Sequence, residues 1–189
     1  MVSGVQAAQF VGITASMFAA GQNATFSTAV VPSLLTPSDD EARLVAHWRT
    51  AYVQGFYLTP PPLLVSCVSF SYLSYSARSS GMLCSLYAAA AVLVPAIVPV
   101  HTFAIMRPYI GALCRRAERL AGPGPGTKAE SLGKDEPATL RIEETHSTRE
   151  LVRLWGLHNA YRTVTGFVGA ALGLWAALNH ARILAPCQS

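Results

Sequence analysis

Apolar residues gather in four long stretches, separated by polar, proline-rich or charged segments. The first runs from about Val5 to Val31 and carries no charge. The second, 61–76, is short and serine-rich, and the third, Met82 to Met106, has no formal charge. The fourth, about 157–178, continues from a more polar helical start. A bilayer-crossing helix needs about 20 mostly apolar residues. The pattern therefore predicts an all-α chain: a four-helix transmembrane bundle, forming a single domain over residues 1–189. The second and fourth stretches are marginal alone and need packing partners. The first reads as a span and not a signal peptide. It lacks a basic leading segment, and Phe18 would stand where a cleavage after Ala20 needs a small residue.

Local signals refine this outline. Ser38 with Glu41, and Ser147 with Glu150, have the spacing of capping boxes and predict two helix starts. After the first, Leu44, Trp48, Tyr52 and Gly55 fall on one helical face, with Val45 and Phe56 beside it. Arg43, Thr50 and Gln54 lie opposite, so this is an amphipathic helix at the interface or over the bundle. Ala8, Gly12, Ser16 and Ala20 recur every four residues on the first span, and Gly166, Gly169 and Gly173 mark the fourth. Small residues let helix backbones approach closely in lipid. Packing within one bundle is the first use of such stripes; a homodimer seam is the second. Pro95 and Pro99 each remove a backbone hydrogen bond and predict a kink in the third span. The stretch from Ala121 to Gly126 alternates Gly and Pro, and with the charged run that follows predicts a flexible loop over about 121–138.

Composition agrees with a membrane setting. Of the 189 residues, 51% are hydrophobic and 13% charged, and mean hydropathy is +0.34. That excludes a disordered chain, which needs low hydrophobicity and high charge, and argues against an ordinary soluble enzyme. Net charge is +4, but ten of the fourteen Lys and Arg lie between Arg107 and Arg162 among seven acids. This is a mixed-charge solvated loop, not an aromatic-studded nucleic-acid platform, so no nucleic-acid partner is expected. Twelve Lys and Arg fall on the side of the two large loops and only Arg78 and Arg182 on the other. The positive-inside rule puts those loops in the cytoplasm and the termini in a lumen. The sequon at Asn23 is then not expected to carry a glycan. Cys67, Cys84, Cys114 and Cys187 show no paired or zinc-type spacing, and three of them sit in or beside apolar runs, where cysteine behaves as a small hydrophobe.

Polar groups that hydrocarbon penalises mark the candidate chemistry. His101 follows the two prolines on the third span, with Arg107 and Tyr109 beyond it. On the fourth helix Leu151, Trp155, His158, Arg162, Thr165 and Gly169 fall in a stripe roughly 80° wide, bordered by Asn159. An indole, an imidazole, a guanidinium and an amide thus point to one place near the cytoplasmic boundary. The bland account is an aromatic belt with a snorkelling arginine. The sharper account is a pocket with a titratable wall. His47, His101 and His158 lie on three helices, yet no metal-ligand spacing, phosphate loop, dinucleotide fingerprint or nucleophile elbow is present. No metal and no organic cofactor are expected.

The ordered pieces are His47-Trp48-x-x-x-Tyr52-x-x-Gly55, a proline-led second span, Val98-Pro99-x-x-Thr102 with Met106-x-Pro108, and Trp155-x-x-x-Asn159-x-x-Arg162. Together they resemble the anthrone oxygenase family, small four-helix membrane proteins of fungal aromatic polyketide pathways. The resemblance covers nearly the whole chain apart from the Gly/Pro-rich loop. One departure is Tyr109, where the family often has asparagine. The resemblance implies a cofactor-independent monooxygenase that uses O₂ to convert an anthrone to its anthraquinone. It implies His158 or His101 as base and Arg162 with Asn159 as oxyanion support. Trp48, Tyr52 and Trp155 would border the rings, and Arg107 and Tyr109 are second choices for substrate contact. The expected partners are an aromatic polyketide and membrane lipid, in an internal membrane such as the endoplasmic reticulum. The competing readings are a non-catalytic tetraspan scaffold, a carrier for an aromatic product, and an isomerase or cyclase using the same pocket without oxygen.

Overall fold

The computed structural model describes residues 3–36 and 40–184, the side chains of 95–99 and 184 excepted, and every regular element among them is helical. The helices are α1 (Gly4–Thr25), α2 (Val31–Leu34), α3 (Glu41–Leu58), α4 (Pro60–Ser76), α5 (Gly81–His101), α6 (Arg107–Ala121), α7 (Pro137–Thr145) and α8 (Thr148–Leu184). Two π-helical turns interrupt them, Phe26–Val30 between α1 and α2 and Thr102–Met106 between α5 and α6. The all-α expectation holds, and helices stand at all four predicted apolar stretches. Among the described residues one helix, within Thr148–Ile183, is by itself long and apolar enough to cross a membrane. Gln6, Gln9, Gln22 and Asn23 dilute α1, and serines at 66, 69, 71, 74 and 76 dilute α4.

The chain divides into two compact groups. The first holds residues up to Gly21, Pro60–Val98 and those from Arg162 on; the second holds Gln22–Thr59 and Pro99–Tyr161. In the first group small residues bring α1, α4, α5 and α8 close. A Cβ added at Gly12 would lie 3.0 Å from Ser69 Cβ, and one at Gly166 3.0 Å from Ala20 Cβ. One at Gly169 would strike Val94 and one at Gly173 would enter the Phe70 ring. The buried Ser16 and Ser66 hydroxyls meet at 2.5 Å, which gives each a partner in an apolar interior. Phe70, Leu73, Leu83, Tyr87 and Ala176 fill the centre. Phe10, Phe18, Val68, Tyr75, Phe167 and Leu178 are exposed on the outer faces.

In the second group α3 buries the predicted stripe: Leu44, Val45, Trp48, Tyr52 and Gly55. Its N-cap is Asp40, whose carboxylate accepts from the Arg43 amide at 2.9 Å. The expected cap, Ser38, lies outside the described residues. The second capping box forms as spaced: the Ser147 amide donates to Glu150 Oε2 at 2.7 Å and the Glu150 amide to Ser147 Oγ at 3.3 Å.

One expectation changes, and two π turns appear that the sequence pattern did not show. Helix α5 continues through Pro95 and Pro99, and the departure from α geometry comes later, at Thr102–Met106. Each π turn leads into a helix whose second residue is proline, Pro32 in α2 and Pro108 in α6. A proline there has no N–H and crowds the carbonyl four residues back. A π turn bonds five residues back, as the Val31 amide does to the Phe26 carbonyl, and makes room. The loop predicted as flexible is a packed strap. Tyr52 donates to the Ala129 carbonyl at 2.9 Å and Arg49 Nη1 to the Gly122 carbonyl at 2.8 Å, while Ala129 is fully buried. Its turns need Gly122, Gly126 and Gly133, all at positive φ. Gly111 of α6 passes so close that a Cβ there would lie 2.6 Å from the Gly133 carbonyl oxygen.

Candidate functional site

The second group gathers most of the predicted site residues. His101 ends α5 and His158 lies in α8, and His101 Nε2 meets His158 Nδ1 at 2.9 Å. Their rings are 4.9 Å apart at 61°. Two imidazoles joined this way share one proton along the bond, one ring donating and the other accepting. His101 is 9% exposed and His158 half-buried. Tyr161 stacks on His101 at 4.9 Å and 29°, and Tyr109 of α6 tilts against His158 at 5.7 Å. His146 meets Tyr109 edge to face at 6.3 Å.

An aromatic wall joins α8 to α3 and the first π turn. Trp155 contacts Phe26 at 5.4 Å and the edge of Trp48 at 6.1 Å, and Trp48 stacks on Tyr52 at 5.1 Å. Trp48 is fully buried, and among the described residues its indole N–H has no acceptor. A buried donor without a partner is uncommon, because it loses its bond to water and gains nothing. Asn159, 2% exposed, donates Nδ2 to the Trp155 carbonyl at 2.9 Å, which fixes its amide against the same helix turn.

The remaining predicted residues are placed differently. Arg162 is half-buried one turn beyond His158 on α8 and counts with the first group. Arg107 turns to the strap, its Nε 2.6 Å from Glu136 Oε1. Tyr52 commits its hydroxyl to the strap through Ala129. His47 is exposed, and among the described residues no three His, Cys, Asp or Glu side chains gather as a metal site requires. Sequence reasoning missed Tyr161 and His146. Tyr161 could have been found from its position three residues after His158, which puts both on one helix face. His146 carried no such signal, since it reaches Tyr109 across a turn between α7 and α8.

Behind this site, α6 and the strap are bound by charge. Arg116, 8% exposed, donates to Thr148 Oγ1 at 2.8 Å and to the carbonyls of Glu143 and His146, and Thr148 donates on to Glu41. One cation thus ties the end of α7 and the starts of α8 and α3. Arg115 and Arg119 hold Glu143 at 2.7 and 2.8 Å, and Lys134 pairs with Glu118. The hydrogen bond and charge of Lys134 hold the Glu118 carboxyl below the usual carboxylate range. A cleft of about 200 Å³ lies between Arg49, Cys114, Glu118, Gly124, Glu130 and Lys134. Burial, helped by the nearby Glu130 charge, pushes the Cys114 thiol up to about 12, so it stays protonated.

Comparison with known proteins bears on what such an arrangement serves. The anthrone oxygenase tpcL of Aspergillus fumigatus is 26% identical over 148 residues, 78% of this chain and 87% of that protein. No solved structure matches the chain. The family model for anthrone oxygenase matches residues 48–172, which takes in Trp48, Tyr52 and Trp155 of the aromatic wall, both paired histidines, Asn159 and Arg162. With more than half of its length matched, the chain belongs to the anthrone oxygenase family.

Proposed function

We propose that the protein is a cofactor-independent oxygenase that converts an anthrone to the anthraquinone. The observation that carries this reading is the imidazole pair, His101 to His158 at 2.9 Å, inside the segment matched to the family. An anthrone is a tricyclic ketone with an acidic methylene at C10. One imidazole takes a C10 proton, a task suited to a group that titrates near neutrality. The resulting anion passes one electron to O₂, and the two radicals combine to a C10 peroxide that takes the proton back. Removal of the second C10 proton, with cleavage of the O–O bond, leaves the new carbonyl and releases water. Both hydrogens and one oxygen atom leave as water, and the other oxygen stays on carbon. A pair of imidazoles suits this sequence because a proton is taken, held, returned and taken again.

Arg162 and Asn159 steady the oxyanion and the developing peroxide in this scheme. Trp48, Tyr52 and Trp155 border the flat rings, and the Trp48 N–H offers a donor to a guest oxygen. Tyr109 lies against the base, while Arg107 serves the strap that backs it. The protein would be multi-pass in an internal membrane such as the endoplasmic reticulum, with both large loops cytoplasmic. Exposed Phe10, Val68, Val92 and Phe167, on α1, α4, α5 and α8, support an apolar surrounding.

The test is oxidation of anthrones by the purified protein in detergent under heavy oxygen, with the aerobic background subtracted. One labelled quinone oxygen per turnover, at a rate above background, is expected. His158→Ala and His101→Ala made separately should lower turnover by about 10²-fold or more for the group that abstracts the proton. Wild-type rates in both variants would remove the base assignment. Conversion without oxygen uptake would point to an isomerase or cyclase, and no conversion to a scaffold.

A further inference from the structure

We infer that Tyr161 is a positioning residue for the imidazole pair: its ring lies against His101 and holds that imidazole in the plane from which Nε2 meets His158. This rests on the proposed role of the pair in proton transfer. The last torsion of a histidine side chain is broad and roughly two-fold, so a single hydrogen bond leaves the ring free to rock or flip. His101 is restrained from two directions. His158 takes one nitrogen at 2.9 Å, and Tyr161 covers a face at 4.9 Å and 29°. A ring stacked on its face resists the rotation that a hydrogen bond at the ring edge leaves open.

Tyr161 is not a core residue that happens to touch a histidine. It is 52% exposed, whereas the His101 beneath it is 9% exposed. An exposed tyrosine contributes little to core packing, and the ring it covers is a buried one. Its placement also follows from helix geometry. Tyr161 stands three residues after His158 on α8, so one helix face presents both the hydrogen-bond partner and the stacking partner of His101. A shift in α8 would therefore carry both restraints together and preserve their mutual geometry.

The experiment compares Tyr161→Phe, which keeps the ring, with Tyr161→Leu and Tyr161→Met, which remove it. Steady-state oxidation of an anthrone is measured beside nitrogen-15 spectra of histidine-labelled protein in detergent. The phenylalanine variant should stay within about twofold of wild type. The two aliphatic variants should lose about tenfold or more in kcat with little change in KM, because small misplacements of a reacting group are costly. The His101 and His158 signals should show a shared proton in wild type and Tyr161→Phe, and broaden or lose that signature in the aliphatic variants. Equal loss in Tyr161→Phe and Tyr161→Leu would assign the effect to the hydroxyl and overturn the inference. A rise in KM alone would make Tyr161 a wall of the substrate pocket and overturn it too. Unchanged histidine spectra in both aliphatic variants would also overturn it. If wild type oxidises no anthrone, the proposed function fails while the spectra still decide the role of Tyr161.

Discussion

Arg116 shows how one side chain holds several helix ends. It sits almost out of solvent, with hydrogen bonds to Thr148 and to the carbonyls of Glu143 and His146. Arg116→Ala would strip the cation from buried Thr148 and from two half-buried carbonyls, at a cost of about 1–3 kcal/mol in stability. Thermal unfolding in detergent checks it, and Arg116→Lys should recover only part because a compact ammonium lacks the wide planar fork that reaches separated acceptors. Cys114 gives a prediction of the opposite kind. With its thiol pushed up to about 12 by burial, alkylation at mildly basic pH should be slow until the chain unfolds. Time-resolved labelling followed by mass spectrometry measures it. The sequence already marked Cys114 as a small hydrophobe. It gave no sign of Arg116, because a buried arginine among Arg115, Glu118 and Arg119 reads as one more solvated charge. Its role exists only once α7 and α8 bring their ends to it.

Among the elements, α3 was legible almost residue by residue, since an apolar stripe at helical spacing needs a core to face. The strap was not legible. Gly and Pro at that density specify turns but do not say whether the turns are docked. Docking comes from Tyr52 and Arg49 on α3 and from the cations of α6 and the strap itself, none adjacent in sequence to the residues they hold. The charge pairs make the strap sensitive to acid. Glu118 is held below the usual carboxylate range, so its contribution is present above that range and is lost as pH falls through it. Hydrogen exchange of the strap amides should therefore rise below the carboxylate range while those of α3 stay protected. The start of α8 was readable too, and Ser147→Ala should cost about 1 kcal/mol through loss of the box formed there.

At the scale of the whole molecule, four apolar stretches became four helices whose closely packed faces use the small residues seen in the sequence. Gly173→Val should destabilise the first group by about 1–3 kcal/mol, since the added methyls enter space held by Phe70. Unfolding in detergent reads that cost. The exposed apolar side chains of the same group predict that the protein stays with the membrane pellet after alkaline carbonate extraction. Release to the supernatant would count against a spanning arrangement. The candidate site was half legible. His101, His158, Trp155 and Asn159 stood out as polar or aromatic residues at helical spacing, but that the two imidazoles bond to each other depends on two segments 57 residues apart.

The π turn at Thr102–Met106 explains why a wheel drawn at constant pitch misleads here. Tyr109 follows His101 by eight residues, which in an unbroken α-helix leaves them about 80° apart around the axis. One additional residue in the wider turn takes back about 100°, so both side chains come round to nearly one line. Both rings do touch His158. Inserting one further residue beside Ala104 would rephase everything downstream by about 100°, swinging Tyr109 and the apolar stripe of α6 away together. Removing one residue would let the turn close to ordinary pitch and is expected to be the milder change.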